Sequence, residues 1–203
     1  MRTNLATLAR WAASALTLAA LLTLLPVRAH PGEGWNRWAQ CETDEDRARW
    51  SVKTARDALA PEIERHARAA TVERLGLLPR PPRSRLGDKR LPIEARRYRV
   101  LARLIAFHLP PDGDVHVTVA DPASGRRMFV EFPSEACARE APARLGRAML
   151  RARREAMAAL GRKAKIPVGQ NGLVLVEGVL FFDPHPDEIG VELHPVLAFR
   201  RVR

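Results

Sequence analysis

The chain has 203 residues, with 34 Lys and Arg against 23 Asp and Glu, a formal net charge of +11. Beyond its N-terminus it holds no stretch long and apolar enough to span a bilayer, which excludes a protein with several membrane helices. The basic balance is compatible with nucleic acid, anionic lipid or cell-wall polymer as a partner, and heavy Arg usage alone does not choose among them.

Residues 1–29 read as a cleavable signal peptide. Arg2 and Arg10 supply a positive start with no acid before Glu33. Ala12 to Leu25 is an apolar run, Pro26 breaks it, and Val27-Arg28-Ala29 puts small residues at the −3 and −1 positions of a cleavage site. The run is about 14 residues, short of the roughly 20 that an anchor needs. Cleavage leaves 31 bases against 23 acids, a net +8, on a chain destined for secretion or the periplasm, with no membrane span. Cys41 and Cys137 both survive it. In an oxidising compartment two cysteines favour one disulfide over zinc, since neither has a partner at C-x-x-C spacing.

Residues 30–92 form an N-terminal extension. Trp50-Ser51-Val52-Lys53-Thr54 suggests a short extended segment. Asp57 to Leu78 suggests helix, with Thr71 as the N-cap of a second short helix and Pro79, Pro81 and Pro82 ending it. Arg80 to Pro92 is a basic connector. Residues 93–203 carry clearer periodicity. Tyr98 to Leu109 reads as a strand, and Pro110-Pro111-Asp112-Gly113 as a turn. Val115, Val117 and Val119 alternate with His116 and Thr118; Met128, Val130 and Phe132 alternate with Phe129 and Glu131. A helix from about Pro142 follows, with Leu145, Met149, Ala152, Ala156 and Leu160 on one face. Leu173 to Phe182 and Val191 to Arg200 are the last strands. Three strands, a helix and two strands are the layout of an OB-like barrel, so the fold class expected is α+β, mainly β: a five-stranded barrel with a helix between strands 3 and 4.

Such barrels bind through the outer face of strands 2 and 3 and the loops joining strands 1–2 and 4–5. Here that region gathers Asp112, Asp114, His116, Glu131, Asp183, Glu192 and His194, because Val191, Leu193 and Leu197 are expected to face the core. Of these, Asp114, His116, Glu131 and His194 suit a divalent metal, or a general acid/base pair acting on water. Read as ordinary turn residues and a solvated sheet face, the same positions imply no site. The helix adds Arg144, Arg147, Arg151 and Arg154 in a basic stripe, which suits the phosphates of an anionic polymer or nucleic acid as readily as solvent. Exposed aromatics for base stacking are few, with Phe129 the one candidate on strand 3.

Several segments in chain order resemble a family of exported bacterial proteins with no assigned activity. They are Trp50-Ser51-Val52-Lys53-Thr54, Pro92-x-Glu94-x-x-x-Tyr98-x-Val100, Asp112-Gly113-Asp114-x-His116, Met128-x-x-Glu131-x-Pro133, Cys137, Gly178-x-x-Phe181-Phe182-Asp183 and Glu192-Leu193-His194-Pro195-Val196. The chain departs from that pattern in a shortened stretch, Pro184 through Val191. A looser likeness is to thermonuclease-type enzymes, through Asp112-Gly113-Asp114 on the first hairpin. Their acidic Asp-Thr-Pro-Glu after strand 3 is replaced here by Phe132-Pro133-Ser134-Glu135. Two functions follow as expectations: a non-catalytic exported binding module, or a metal-dependent hydrolase of the phosphodiesterase or nuclease kind.

Overall fold

The computed structural model describes residues 41, 49–109, 113–160, 165–167, 172–184 and 190–202. The elements are α1 (Trp50–Lys53), β1 (Arg68–Ala70), α2 (Val72–Gly76), β2 (Arg97–His108), β3 (Val115–Ala120), β4 (Arg127–Phe132), α3 (Glu135–Glu140), α4 (Ala143–Leu160), β5 (Lys165–Pro167), β6 (Leu173–Phe182) and β7 (Val191–Val202). Short 3-10 turns occupy Ala60–Glu62, Arg83–Arg85 and Pro92–Ala95.

Five strands are bonded in a closed ring, β2–β3–β4–β7–β6 and back to β2. The long strand β2 makes this possible by serving two partners in turn. Arg97 to Arg103 pair with β6, and Arg103 to His108 pair with β3, with an irregularity between Leu104 and Ala106. Within the ring the pairings are antiparallel except β4 with β7, which is parallel. β1 and β5 fill the stretches of β2 that the ring leaves open.

Alternation decides what lies inside. Val115, Val117 and Val119 are fully buried within the ring, together with Met128, Val130, Phe132, Leu180, Leu193 and Phe199. Each such side chain contributes about 1.5–3 kcal/mol relative to exposure. α4 lays the expected stripe, Leu145, Met149, Ala152, Ala156 and Leu160, against the strands. α3 approaches α4 closely at Gly146, where an added Cβ would sit 2.2 Å from the Ala138 carbonyl oxygen. On the outer face a second apolar cluster joins Ala55, Ala60 and Ile63 to Leu145, Met149, Val179 and Leu197.

Three expectations are corrected. Trp50–Lys53 is a helical turn and not extended: Trp50 and Val52 bury, and Thr54 Oγ1 donates to the Trp50 carbonyl at 2.8 Å, an i to i−4 bond that closes the turn. Asp57–Leu78 is not one helical stretch. Pro61 holds its first part in a 3-10 turn, and the free edge of β2 recruits residues 68–70 as strand; only Val72–Gly76 is α-helical. Thr71 does cap it, accepting from Arg74 N at 3.1 Å. Leu197 does not join Val191 and Leu193 inside the ring. The β6–β7 register shifts around Gly178, where a Cβ would lie 2.8 Å from Leu193 Cβ, and beyond that shift Val196 faces inward and Leu197 outward.

Candidate functional site

The alternation that buries three valines of β3 turns His116 to the outer face, directly opposite Glu131 on β4. The parallel β4–β7 pair sets Phe129 beside Glu192 and Val130 beside Leu193, which carries His194 to the same side as Glu131. Asp114, just before β3, reaches this group from the end of the strand. Five of the seven sequence-derived residues thereby converge, and Asp183 joins them through its side-chain bond to Glu192. Glu131 Oε2 lies 2.9 Å from His194 Nδ1, and Glu131 Oε1 lies 3.4 Å from His116 Nδ1. His194 Nε2 lies 3.8 Å from Asp114 Oδ2. Asp114 Oδ1 accepts from the Ser134 backbone N–H at 2.7 Å, which ties it to the start of α3.

The cluster is an interior one, although it is on the outside of the ring. His194 has no exposure, and Asp114, Glu131 and Glu192 are buried. What covers them is α1, through Lys53, whose ammonium lies 3.4 Å from Glu131 Oε2 and 3.8 Å from Glu192 Oε2. The Phe181 ring floors this region, with Lys53 Nζ 5.3 Å and Arg49 Cζ 5.0 Å from its centroid. Such cation–ring contacts are favourable where water is displaced.

Charge follows from this packing. Burial pushes the His194 imidazole down to about 4 against the pull of Glu131, so the ring is neutral near pH 7. Burial would raise Glu131, but His194, Lys53 and His116 together hold it well below the usual carboxylate range. Glu192 goes the other way: burial and the neighbouring Glu131 charge push it well above that range. Burial alone would lower Lys53, yet Glu131, Glu192, Asp183 and Asp114 hold it above its ordinary value. The two glutamates are thus shifted in opposite directions beside a fixed ammonium.

Two anchors on the N-terminal side of α1 hold it over the cluster. One is the Cys41–Cys137 disulfide, with Cα atoms 4.5 Å apart, packed with Trp50. The other is a buried pair of the N-cap residue Arg49 with Glu94, bonded at 2.6 and 2.5 Å. Arg90 adds bonds to Asp57 and to the Val52 carbonyl. Sequence reasoning missed Lys53, Arg49, Arg90, Glu94 and Phe181 as parts of this region. Three of them lie in segments that carry the family resemblance: Lys53, Glu94 and Phe181.

The remaining sequence-derived positions behave differently. Asp112 and the 185–189 part of the acidic loop lie outside the described residues. Asp183, at the edge of the cluster, is half-buried; its side chain bonds Glu192, and its carbonyl accepts from Arg80. The basic stripe divides: Arg144 turns inward and donates to the Ile63 carbonyl at 2.9 Å, while Arg147, Arg151 and Arg154 are exposed. Phe129 is half-buried. An open groove of about 390 Å³, lined by Arg103, Ile105, Asp121 and Arg127 among others, involves none of the cluster residues.

Among the described residues, one group has metal-site spacing. An oxygen of Asp114, an oxygen of Glu131 and a ring nitrogen of His194 lie within 4.8 Å of one another. His116, expected as a fourth ligand, is not in that set; it is partly exposed and packs edge-on against His108, with centroids 4.9 Å apart. No helix among the described residues is long and apolar enough to cross a membrane. Comparison with family models, curated proteins and solved structures gave no match.

Proposed function

We propose that this chain is an exported, non-catalytic binding module built on an OB-type barrel, with the outer face of β3, β4 and β7 as its binding face. The barrel reading is supported by the closed ring, the parallel pairing of its third strand with its fifth, and the helices between its third and fourth strands. Export is supported by the signal-like residues 1–29 and by the disulfide. The single observation that carries the binding reading is the convergence of Asp114, His116, Glu131, Glu192 and His194 on one face under an anchored cover. A general base needs reach to a substrate proton, and a sealed imidazole has none. Carboxylates outnumber cations in the cluster, which favours a cationic ligand there. An anionic polymer or nucleic acid would instead meet the exposed Arg147, Arg151 and Arg154 of α4.

The test is amide-shift mapping of the mature, disulfide-bonded protein against divalent cations, a polyamine and a DNA oligonucleotide, paired with a phosphodiester hydrolysis assay. The expected result is shifts on β3, β4 and β7 with cations and no turnover. Hydrolysis by the parent that His194→Ala lacks would replace the binding module with the hydrolase.

A further inference from the structure

The imidazole of His194 presents an unmet demand. Glu131 Oε2 sits 2.9 Å from Nδ1, though off the line of a good hydrogen bond, and an oxygen that close places the ring's single proton on Nδ1. Nε2 then carries a lone pair. It is completely buried, has no hydrogen-bond partner among the described residues, and faces the Asp114 carboxylate, Oδ2 being 3.8 Å away. A lone pair aimed at a carboxylate oxygen is an acceptor facing an acceptor, and burial without compensation is costly. A positive centre between them removes the conflict. A cation bonded to both at about 2.0–2.2 Å can bridge donors up to about 4 Å apart, so the observed gap needs only small adjustment.

The geometry points to a divalent transition-metal site in which His194 Nε2 and Asp114 Oδ2 are the protein's ligands. The inference rests on the binding-face reading and names that face's ligand. Glu131 holds His194 from the far nitrogen, the arrangement that fixes ring orientation in metal sites. Asp114 is positioned in turn by the Ser134 backbone N–H on its other oxygen. An imidazole ligand beside a carboxylate favours Zn²⁺, Mn²⁺ or Co²⁺ over Ca²⁺ and Mg²⁺, which prefer all-oxygen shells.

The experiment uses mature, oxidised protein stripped with a chelator and titrated with Co²⁺ and Zn²⁺. One equivalent of Co²⁺ should bind with visible d–d bands and no thiolate charge-transfer band, both cysteines being in the disulfide. Zn²⁺ should displace it and raise the melting temperature. Asp114→Asn keeps an oxygen for Ser134 and offers an amide N–H to Nε2, so its metal-free form should melt like the parent while its affinity falls roughly a hundredfold. His116→Ala should bind as the parent does. Failure of the parent to take up either ion, or loss of uptake in His116→Ala with Asp114→Asn unaffected, would overturn the site in favour of a bridging water or an adventitious His108–His116 contact. Uptake accompanied by phosphodiester hydrolysis, both lost in Asp114→Asn, would keep the metal site and overturn the non-catalytic reading instead.

Discussion

Arg49 and Glu94 satisfy each other completely. Both guanidinium NH₂ groups meet the two carboxylate oxygens, and the remaining N–H bonds go to the carbonyls of Gly87, Lys89 and Phe182. Glu94 also accepts from the backbone N–H groups of Leu91 and Phe182. This pair joins the N-terminal extension, the segment before β2 and the end of β6.

Removing one partner leaves the other charge buried. Glu94→Gln should therefore cost about 3–5 kcal/mol in urea unfolding of the oxidised protein. Arg49→Met should cost a similar amount, and the double variant Arg49→Met/Glu94→Leu should cost less than the sum. Additive losses would mean that the two groups act separately.

The disulfide closes an interval of 96 residues, worth about 4–5 kcal/mol on the chain-entropy model. Cys41→Ala/Cys137→Ala should lower the unfolding free energy by about 2–5 kcal/mol. It should also speed proteolysis before Arg49, because the anchor at Arg49 lies beyond that point. A loss well under 1 kcal/mol would show that Arg49 alone secures the extension.

Asp121 gives a pH dependence away from the cluster. Oδ1 accepts from Ala123 N at 3.0 Å and Ser124 N at 3.1 Å, and Oδ2 from Glu73 N at 3.2 Å. Burial pushes its carboxyl up, but these amide donors outweigh it and hold the carboxyl below 3.8. A lowered carboxylate stabilises the fold above its unfolded value, and that stability is lost as pH falls through the folded one. The gap in stability between parent and Asp121→Asn should thus be constant near neutrality and shrink below about pH 3.8. A gap unchanged at low pH would rule this role out.

The strands were legible because one face of each is buried: Val115, Val117 and Val119 write the period directly, and the α4 stripe does the same for the long helix. Register then brought His116, Glu131 and His194 together. The segment before β2 was not legible, since its conformation is set by distant partners. Arg68 to Ala70 are strand only because β2 has a free edge there, and Trp50 to Lys53 are helical where burial beside Cys137 favours it. The phase change at Gly178 was hidden too, because it falls opposite Pro195 to Phe199, an apolar run with no polar residue to mark the alternation. For the cluster, the strand residues were visible and the cover was not. Nothing about Lys53 in isolation says that its ammonium is spent on two buried glutamates 78 and 139 residues away.

That ammonium yields the last prediction. Among the described residues, Lys53 is the one lysine or arginine paired with Glu131 and Glu192. Lys53→Gln keeps most of the stem over Phe181 but removes the charge. Glu131 then loses its ammonium counter-ion, and the metal-free protein should be destabilised by roughly 2–3 kcal/mol. Because the raised Lys53 pKa places its contribution below the unfolded value of 10.5, the difference from the parent should persist through neutral pH and close only in strongly alkaline solution. Metal affinity should move the opposite way. A cation entering beside Asp114 meets a more negative cluster once the ammonium is gone, and Zn²⁺ binding should tighten on the order of tenfold. Paired unfolding curves in chelator and in saturating Zn²⁺ test both effects together: the deficit of Lys53→Gln should be large in the first and smaller in the second. A deficit that grows with Zn²⁺ would mean that Lys53 positions the carboxylates for the metal and does not compete with it.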